Sequence, residues 1–169
     1  MAEPGDFPTY MIDTSSFMHV GGHVSSPRLK TYSLIEAERI WGNLLARIED
    51  GRVKTVPQVM DELKRNDRLT YGRLHPYAKS LVVQNLGHAN AVRLLLGEFP
   101  DLVRADALSD PADPWLIVAA VRQDAVVVTN EVPSAERKRP RPPSIPDICA
   151  SKHIECINVV AFVQREGLA

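Results

Sequence analysis

The chain is short of several features that would narrow its chemistry at once. Its two cysteines, Cys149 and Cys156, form neither a CxxC pair nor a disulfide framework, so no disulfide-stapled scaffold is expected. Charge of either sign is not in excess: the net charge is −1 and the isoelectric point about 6.5. That balance excludes the global basic field of a dedicated nucleic-acid-binding module and leaves any polyanion to be held locally. No apolar run approaches the length that spans a bilayer, which sets a transmembrane role aside. The opening MAEPGDFPTY lacks the basic and long apolar regions of a signal peptide, so a cytoplasmic location is expected. No internal repeat is evident. What is present is a chain of 169 residues with 44% apolar side chains, enough for one globular domain with a real core.

The stretch 110–131, DPADPWLIVAAVRQDAVVVTNE, holds a whole helix–strand unit between carboxylates. Pro111 and Pro114 suit a helix start, Trp115, Leu116, Ile117, Ala119 and Ala120 make a broad apolar face, and 125–128 is a β-branched run short enough for a buried strand. Earlier in the chain, Tyr10, Met11 and Ile12 read as the end of a short buried strand that runs into Asp13. An irregular loop is expected from His19 to Tyr32, with Ser33 capping a helix over 34–48 whose apolar residues recur at helical spacing. Gly51 ends that helix, 53–56 forms a second strand, and Pro57 opens the helix PQVMDELKR with Val59 and Leu63 inward. Residues 71–103 read as two or three helices forming a cap, and 132–144 as an exposed loop rich in proline and basic residues. A short helix from Ile145 to about Lys152, a last strand over 154–159 and a terminal helix over 160–166 complete the chain. Strands alternating with helices give an α/β fold with a mostly parallel sheet.

Ligands of such sheets bind at the carboxyl ends of the strands. Asp13 and Glu131 each follow a strand there, Asp113 begins a helix that starts at the same edge, and Glu62 lies early in the helix after the second strand. Asp61 and Glu62 are neighbours, and successive helical side chains diverge by about a third of a turn, so at most one faces a common site; Glu62 is the choice. Clustered carboxylates repel one another unless they hold a hard cation such as Mg²⁺ or Mn²⁺, which suits phosphoryl chemistry.

In order and spacing, Asp13 in YMIDTSSF, Glu62 in VPQVMDELKR, Asp113 in ADPWLIVAA and the closing VVVTNE resemble the PIN-domain ribonucleases, including the VapC-like bacterial toxins. The resemblance spans most of the chain. It implies a PIN-like three-layer α/β/α sandwich and Mg²⁺- or Mn²⁺-dependent endoribonuclease activity. Asp13, Glu62, Asp113 and Glu131 would be the catalytic acids and metal ligands, with Ser15, Thr129 and Asn130 as polar helpers. It further implies an RNA substrate, a homodimer and silencing by an antitoxin protein that fills the cleft. Where the family usually ends in Asn–Asp, this chain has Asn130 and Glu131, whose longer side chain reaches a metal directly or through water.

Competing readings stand beside these. Asp13 and Asp113 are ordinary helix-capping or first-turn residues when taken alone, and Glu131 is an ordinary turn residue. Arg137, Lys138, Arg139 and Arg141 are candidate contacts to RNA phosphates or simply a solvated loop. Asp147 reads as a helix cap in preference to an outer carboxylate of the cleft. His19 and His23 have the spacing of a zinc pair, but Gly21 and Gly22 between them oppose the helix that spacing needs. Trp41 and Trp115 are expected in the core, and Asp110 and Asp124 are structural. The alternatives in function are a PIN-like module that binds RNA or protein with little catalysis, or a metal-dependent nuclease acting on DNA or small nucleotides.

Overall fold

The structure, a computed structural model, describes residues 7–21, 34–84, 87–103, 111–137 and 142–169. Strand β1 (Tyr10–Ile12) leads into helix α1 (Thr14–Val20), and helix α2 (Leu34–Glu49) leads into β2 (Val53–Lys54). A helical run follows: α3 (Pro57–Asn66), α4 (Arg68–Leu74), α5 (Ala78–Leu81) and α6 (Ala89–Glu98). Helix α7 (Ala112–Gln123) returns to β3 (Val126–Val128), and α8 (Ile145–Ser151), β4 (Cys156–Ile157) and α9 (Val159–Arg165) close the chain. All three pairings in the sheet are parallel and its order is β2-β1-β3-β4. The expected α/β fold, a three-layer α/β/α sandwich about a parallel sheet, is thus the observed one.

The two central strands explain the layering. Tyr10, Met11 and Ile12 are all buried, as are Val126, Val127 and Val128, because helices cover both faces and leave no side that needs polar residues. Met11 aligns with Val127 on one side and Lys54 on the other. Five consecutive residues of α7, Leu116 to Ala120 in sequence, are buried, since that helix is packed against β1, β3, α3, α6 and α8 together. Gly51, at φ +77, supplies the left-handed turn that ends α2, a conformation most side chains resist.

Several expectations need correction. The loop expected from His19 begins later, because His19 and Val20 are the last residues of helix α1, which buries Phe17 and Val20. The second strand is shorter than 53–56: Thr55 leaves β1 and forms a parallel bridge to Val82. The last strand ends at Ile157, because the Asn158 side chain accepts the Ala161 N–H at 2.8 Å and starts α9. Between 71 and 103 the described residues include the end of α4 and helices α5 and α6, and Leu74, Leu81, Val92 and Leu95 belong to the main core. Trp41 is buried, whereas Trp115 is only partly so. Ser33, His23 and Asp110 lie outside the described residues. Among the described residues no helix is long and apolar enough to cross a membrane.

At the amino-terminal end of the strands the core is closed by one buried acid. Glu166 accepts a hydrogen bond from the Tyr10 hydroxyl at 2.8 Å, from Arg52 Nη2 at 2.6 Å and from Arg47 Nε at 3.1 Å. The Tyr10 ring meets Phe162 edge-on at 4.9 Å, and burial together with the Glu166 bond pushes its hydroxyl up to about 12. This network ties β1, α2 and the last turn of the chain. Replacing Glu166 by Ala leaves two arginines and a buried hydroxyl without their acceptor. The expected loss is about 3 kcal/mol, at the low end for a buried pair because the arginines are partly exposed. Urea unfolding of Glu166→Ala measures it, and a loss below about 1 kcal/mol, as for a surface pair, would contradict the assignment.

Candidate functional site

In a sheet ordered 2-1-3-4, the chain leaves β1 in one direction for β2 and crosses to the other side for β3. The loops after β1 and β3 therefore part at the carboxyl ends of the strands, the topological switch point of an open α/β sheet. Asp13 directly follows β1, and Thr129 directly follows β3.

Asp13 is 5% exposed and well supplied with donors. As the residue that starts α1, it accepts the Ser16 N–H at 2.7 Å. The Ser15 hydroxyl lies 3.0 and 3.1 Å from its two oxygens, and the Thr129 hydroxyl donates to it at 2.6 Å. Thr129 Oγ1 in turn accepts the Glu131 N–H at 3.1 Å, which directs the hydroxyl proton towards Asp13. Asp13 thus joins the two central strands at the switch point.

Glu62 is part-buried while its neighbour Asp61 is exposed, in line with the helical argument for choosing between them. One Glu62 oxygen accepts from the Thr14 hydroxyl and the other from the Ala112 N–H at 3.0 Å. Glu62 therefore caps α7, whose preceding residue, Pro111, has no side chain able to do so. Glu131 does the same for α8 by accepting the Ile145 N–H at 2.9 Å. Each of the three acids rests on the amino-terminal end of a different helix, where the partial positive charge of the backbone favours an anion.

Asp113 has no such support. It lies in the first turn of α7, is half-buried, and accepts no hydrogen bond from another described residue. Burial pushes its carboxyl up to about 7, and the charges of Glu131, Glu62 and Asp13, in that order, push it the same way. All four acids named from the sequence therefore share one electrostatic neighbourhood. Among the described residues, however, no three His, Cys, Asp or Glu side chains gather round one point as a ready shell for a metal.

A family model described as a domain of unknown function, DUF4411, matches residues 10–169. The chain belongs to that family. No curated protein and no solved structure matches it. In this DUF4411 chain the matched span begins at the first residue of β1 and takes in the whole sheet and all four acids.

The remaining candidates fall as follows. Ser15 and Thr129 lie on Asp13 as above, whereas the Asn130 side-chain oxygen accepts the Val159 N–H at 3.3 Å, at the start of α9. Asp147, in the first turn of α8, completes a capping box with Ser144, the residue that starts the helix: it accepts the Ser144 N–H and hydroxyl, both at 2.7 Å, and also holds Ser134. Burial would raise its carboxyl, but those hydrogen bonds outweigh it and hold the group well below the usual range. Arg137 folds back, with Nε on the Val132 carbonyl at 3.2 Å and a guanidinium nitrogen 3.9 Å from Glu131, so it is engaged with its own loop. Lys138, Arg139 and Arg141 lie outside the described residues. His19 sits at the end of α1, and Asp124 ends α7 with φ 50. Thr14 and Thr55, whose hydroxyl donates to the Ile12 carbonyl at 2.8 Å, were not singled out by sequence reasoning. Their partners are distant in the chain, and only the polar residue next to Asp13 could have hinted at Thr14.

The raised Asp113 makes a stability prediction with a definite sign. Its ordinary value is 3.8 and its folded value about 7, so between these limits the folded state holds a proton that the unfolded state has lost. Stability from this group is then full below about pH 4 and is lost as pH rises towards 7, by on the order of 2–4 kcal/mol. Without divalent ions, Asp113→Asn removes this loss and is the more stable protein near pH 8. Urea unfolding of both proteins near pH 5 and pH 8 tests this; equal losses in the two would contradict it.

Proposed function

We propose that this DUF4411 chain is a metal-dependent endoribonuclease, PIN-like in its site, that hydrolyses RNA phosphodiester bonds with Mg²⁺ or Mn²⁺ and acts as the toxin of a toxin–antitoxin pair. The observation that carries the reading is Asp113, a desolvated carboxyl set among three others and given no donor by the described residues. A structural acid is ordinarily given a partner, as Asp147 and Glu166 are. One left to be repelled by its neighbours is the mark of a functional site.

The donor set fits a hard divalent cation. Each carboxylate has about four lone-pair sites. Asp13 uses three on Ser16, Ser15 and Thr129, Glu62 uses two on Thr14 and Ala112, and Glu131 uses one on Ile145. Capacity therefore remains on all of them, and oxygen-only ligands suit Mg²⁺ or Mn²⁺. Asp13, Glu62, Asp113 and Glu131 would hold the ion through the lone pairs that these hydrogen bonds leave free. When bound, such an ion supplies the positive charge that phosphodiester hydrolysis needs at the phosphate and at the attacking water. Ser15 and Thr129 keep Asp13 fixed, and Asp113 gives up its proton when the repulsion around it is offset. The choice of RNA, the antitoxin and a homodimer rest on the family resemblance.

A second reading has an observation of its own. Three of the acids already serve as helix caps and no ready metal shell is gathered among the described residues, as suits a PIN-like module that binds RNA or a protein partner with little catalysis. Cleavage separates the two. With Mg²⁺ or Mn²⁺, single-stranded RNA is expected to be cut, and chelation to stop the reaction. Asp13→Asn and Asp113→Asn are expected to lower the rate by roughly 100-fold or more. Both variants should stay folded, because Asn is nearly isosteric with Asp and also caps helices well. Full metal-dependent cleavage by both variants would refute the reading, and a parallel DNA substrate of the same sequence identifies the nucleic acid.

A further inference from the structure

Thr14 is the first residue of α1, a place where helix propensity gives no reason for a β-branched side chain. A hydroxyl there ordinarily bonds to its own backbone. This one crosses to α3 and donates to Glu62, 48 residues away in the chain. The other Glu62 oxygen takes the Ala112 N–H. Glu62 is thereby gripped from two sides, by the helix that Asp13 starts and by the helix that carries Asp113. Asp61, one residue earlier, is exposed and stands outside the arrangement.

We propose that Thr14 is a positioning residue: its hydroxyl, together with the Ala112 N–H, keeps the Glu62 carboxylate beside Asp113 and Asp13, from where the three would close on one divalent cation. The inference rests on the metal-dependent reading above. With the hydroxyl gone, Glu62 keeps a single anchor on Ala112 and its carboxylate is free to turn. A cation must then order the side chain when it binds, and affinity falls. A purely structural tie between α1 and α3 makes a different prediction, namely a drop in stability with cation affinity unchanged.

The test uses the full chain and Mn²⁺ alone as the probe, with affinity from titration calorimetry and thermal stability measured in chelator. Thr14→Val removes the hydroxyl at nearly constant shape, and Thr14→Ala removes it with less bulk, so that one variant failing to fold leaves the other to decide. Either is expected to weaken Mn²⁺ binding about tenfold, the scale of an outer hydrogen-bond partner to a ligand. Thr14→Ser, which restores the hydroxyl, is expected to bind within about twofold of the parent, and Asp61→Asn to bind as the parent does. In a Glu62→Gln background, removing the Thr14 hydroxyl should cost little further affinity, because the two act as a unit. Parent-like affinity in Thr14→Val and Thr14→Ala overturns the role of Thr14 and leaves the metal reading standing. A parent chain that binds no Mn²⁺ overturns both.

Discussion

A carboxylate buried at the end of a strand is unfavourable unless donors surround it, and the arrangement of this chain follows from how Asp13 is satisfied. Its three donors come from two places. Ser15 and Ser16 belong to α1, whose start Asp13 forms, and Thr129 belongs to the far side of the switch point, just after β3. One buried side chain thus starts a helix and ties the two central strands, while the Asp13 N–H continues the ladder to the Val128 carbonyl at 3.2 Å. The hydrogen bond from Glu131 N–H to Thr129 extends the chain of contacts to the next acid.

The same device recurs at a distance. Glu62 closes the end of α7 and Glu131 the end of α8, so negative charge is concentrated where the amino-terminal ends of helices can offset it. Asp113 sits in the first turn of α7, close enough to that helix end to be drawn into the group but without a donor among the described residues. The opposite end of the sheet handles its acid differently. Glu166 is surrounded by Tyr10, Arg47 and Arg52 and is spent on holding the fold. A fully paired acid at one end and, at the other, one with no donor among the described residues mark which end is built for stability and which gathers negative charge.

Much of this was legible in the sequence because it is local. YMI and VVV are β-branched or bulky runs with no polar alternation, and the helices of 57–66 and 112–123 open on prolines. The preference for Glu62 over Asp61 needed only the turn of a helix. What escaped depends on contacts made through space. Thr, Ser, Phe, Met, His and Val in TSSFMHV form a weak helix by propensity, and α1 exists because Asp13 caps it and the core takes up Phe17 and Val20. The Thr14–Glu62 bond and the capping of α8 by Glu131 join residues far apart in the chain, so neither leaves a periodic trace. The last strand was overextended because Val159 looks equally at home in strand or helix, and the Asn158 cap decides for the helix.

The central claim is that the four acids form one site whose repulsion a divalent cation relieves, with Asp113 giving up a proton as it does so. Titrating Mn²⁺ into the protein near pH 6 in buffers of different ionisation enthalpy counts the protons released on binding. The account predicts close to one proton per Mn²⁺ near pH 6, fewer near pH 8, where Asp113 is already ionised, and almost none in Asp113→Asn. Binding with no proton release near pH 6, or no binding at either pH, would contradict it.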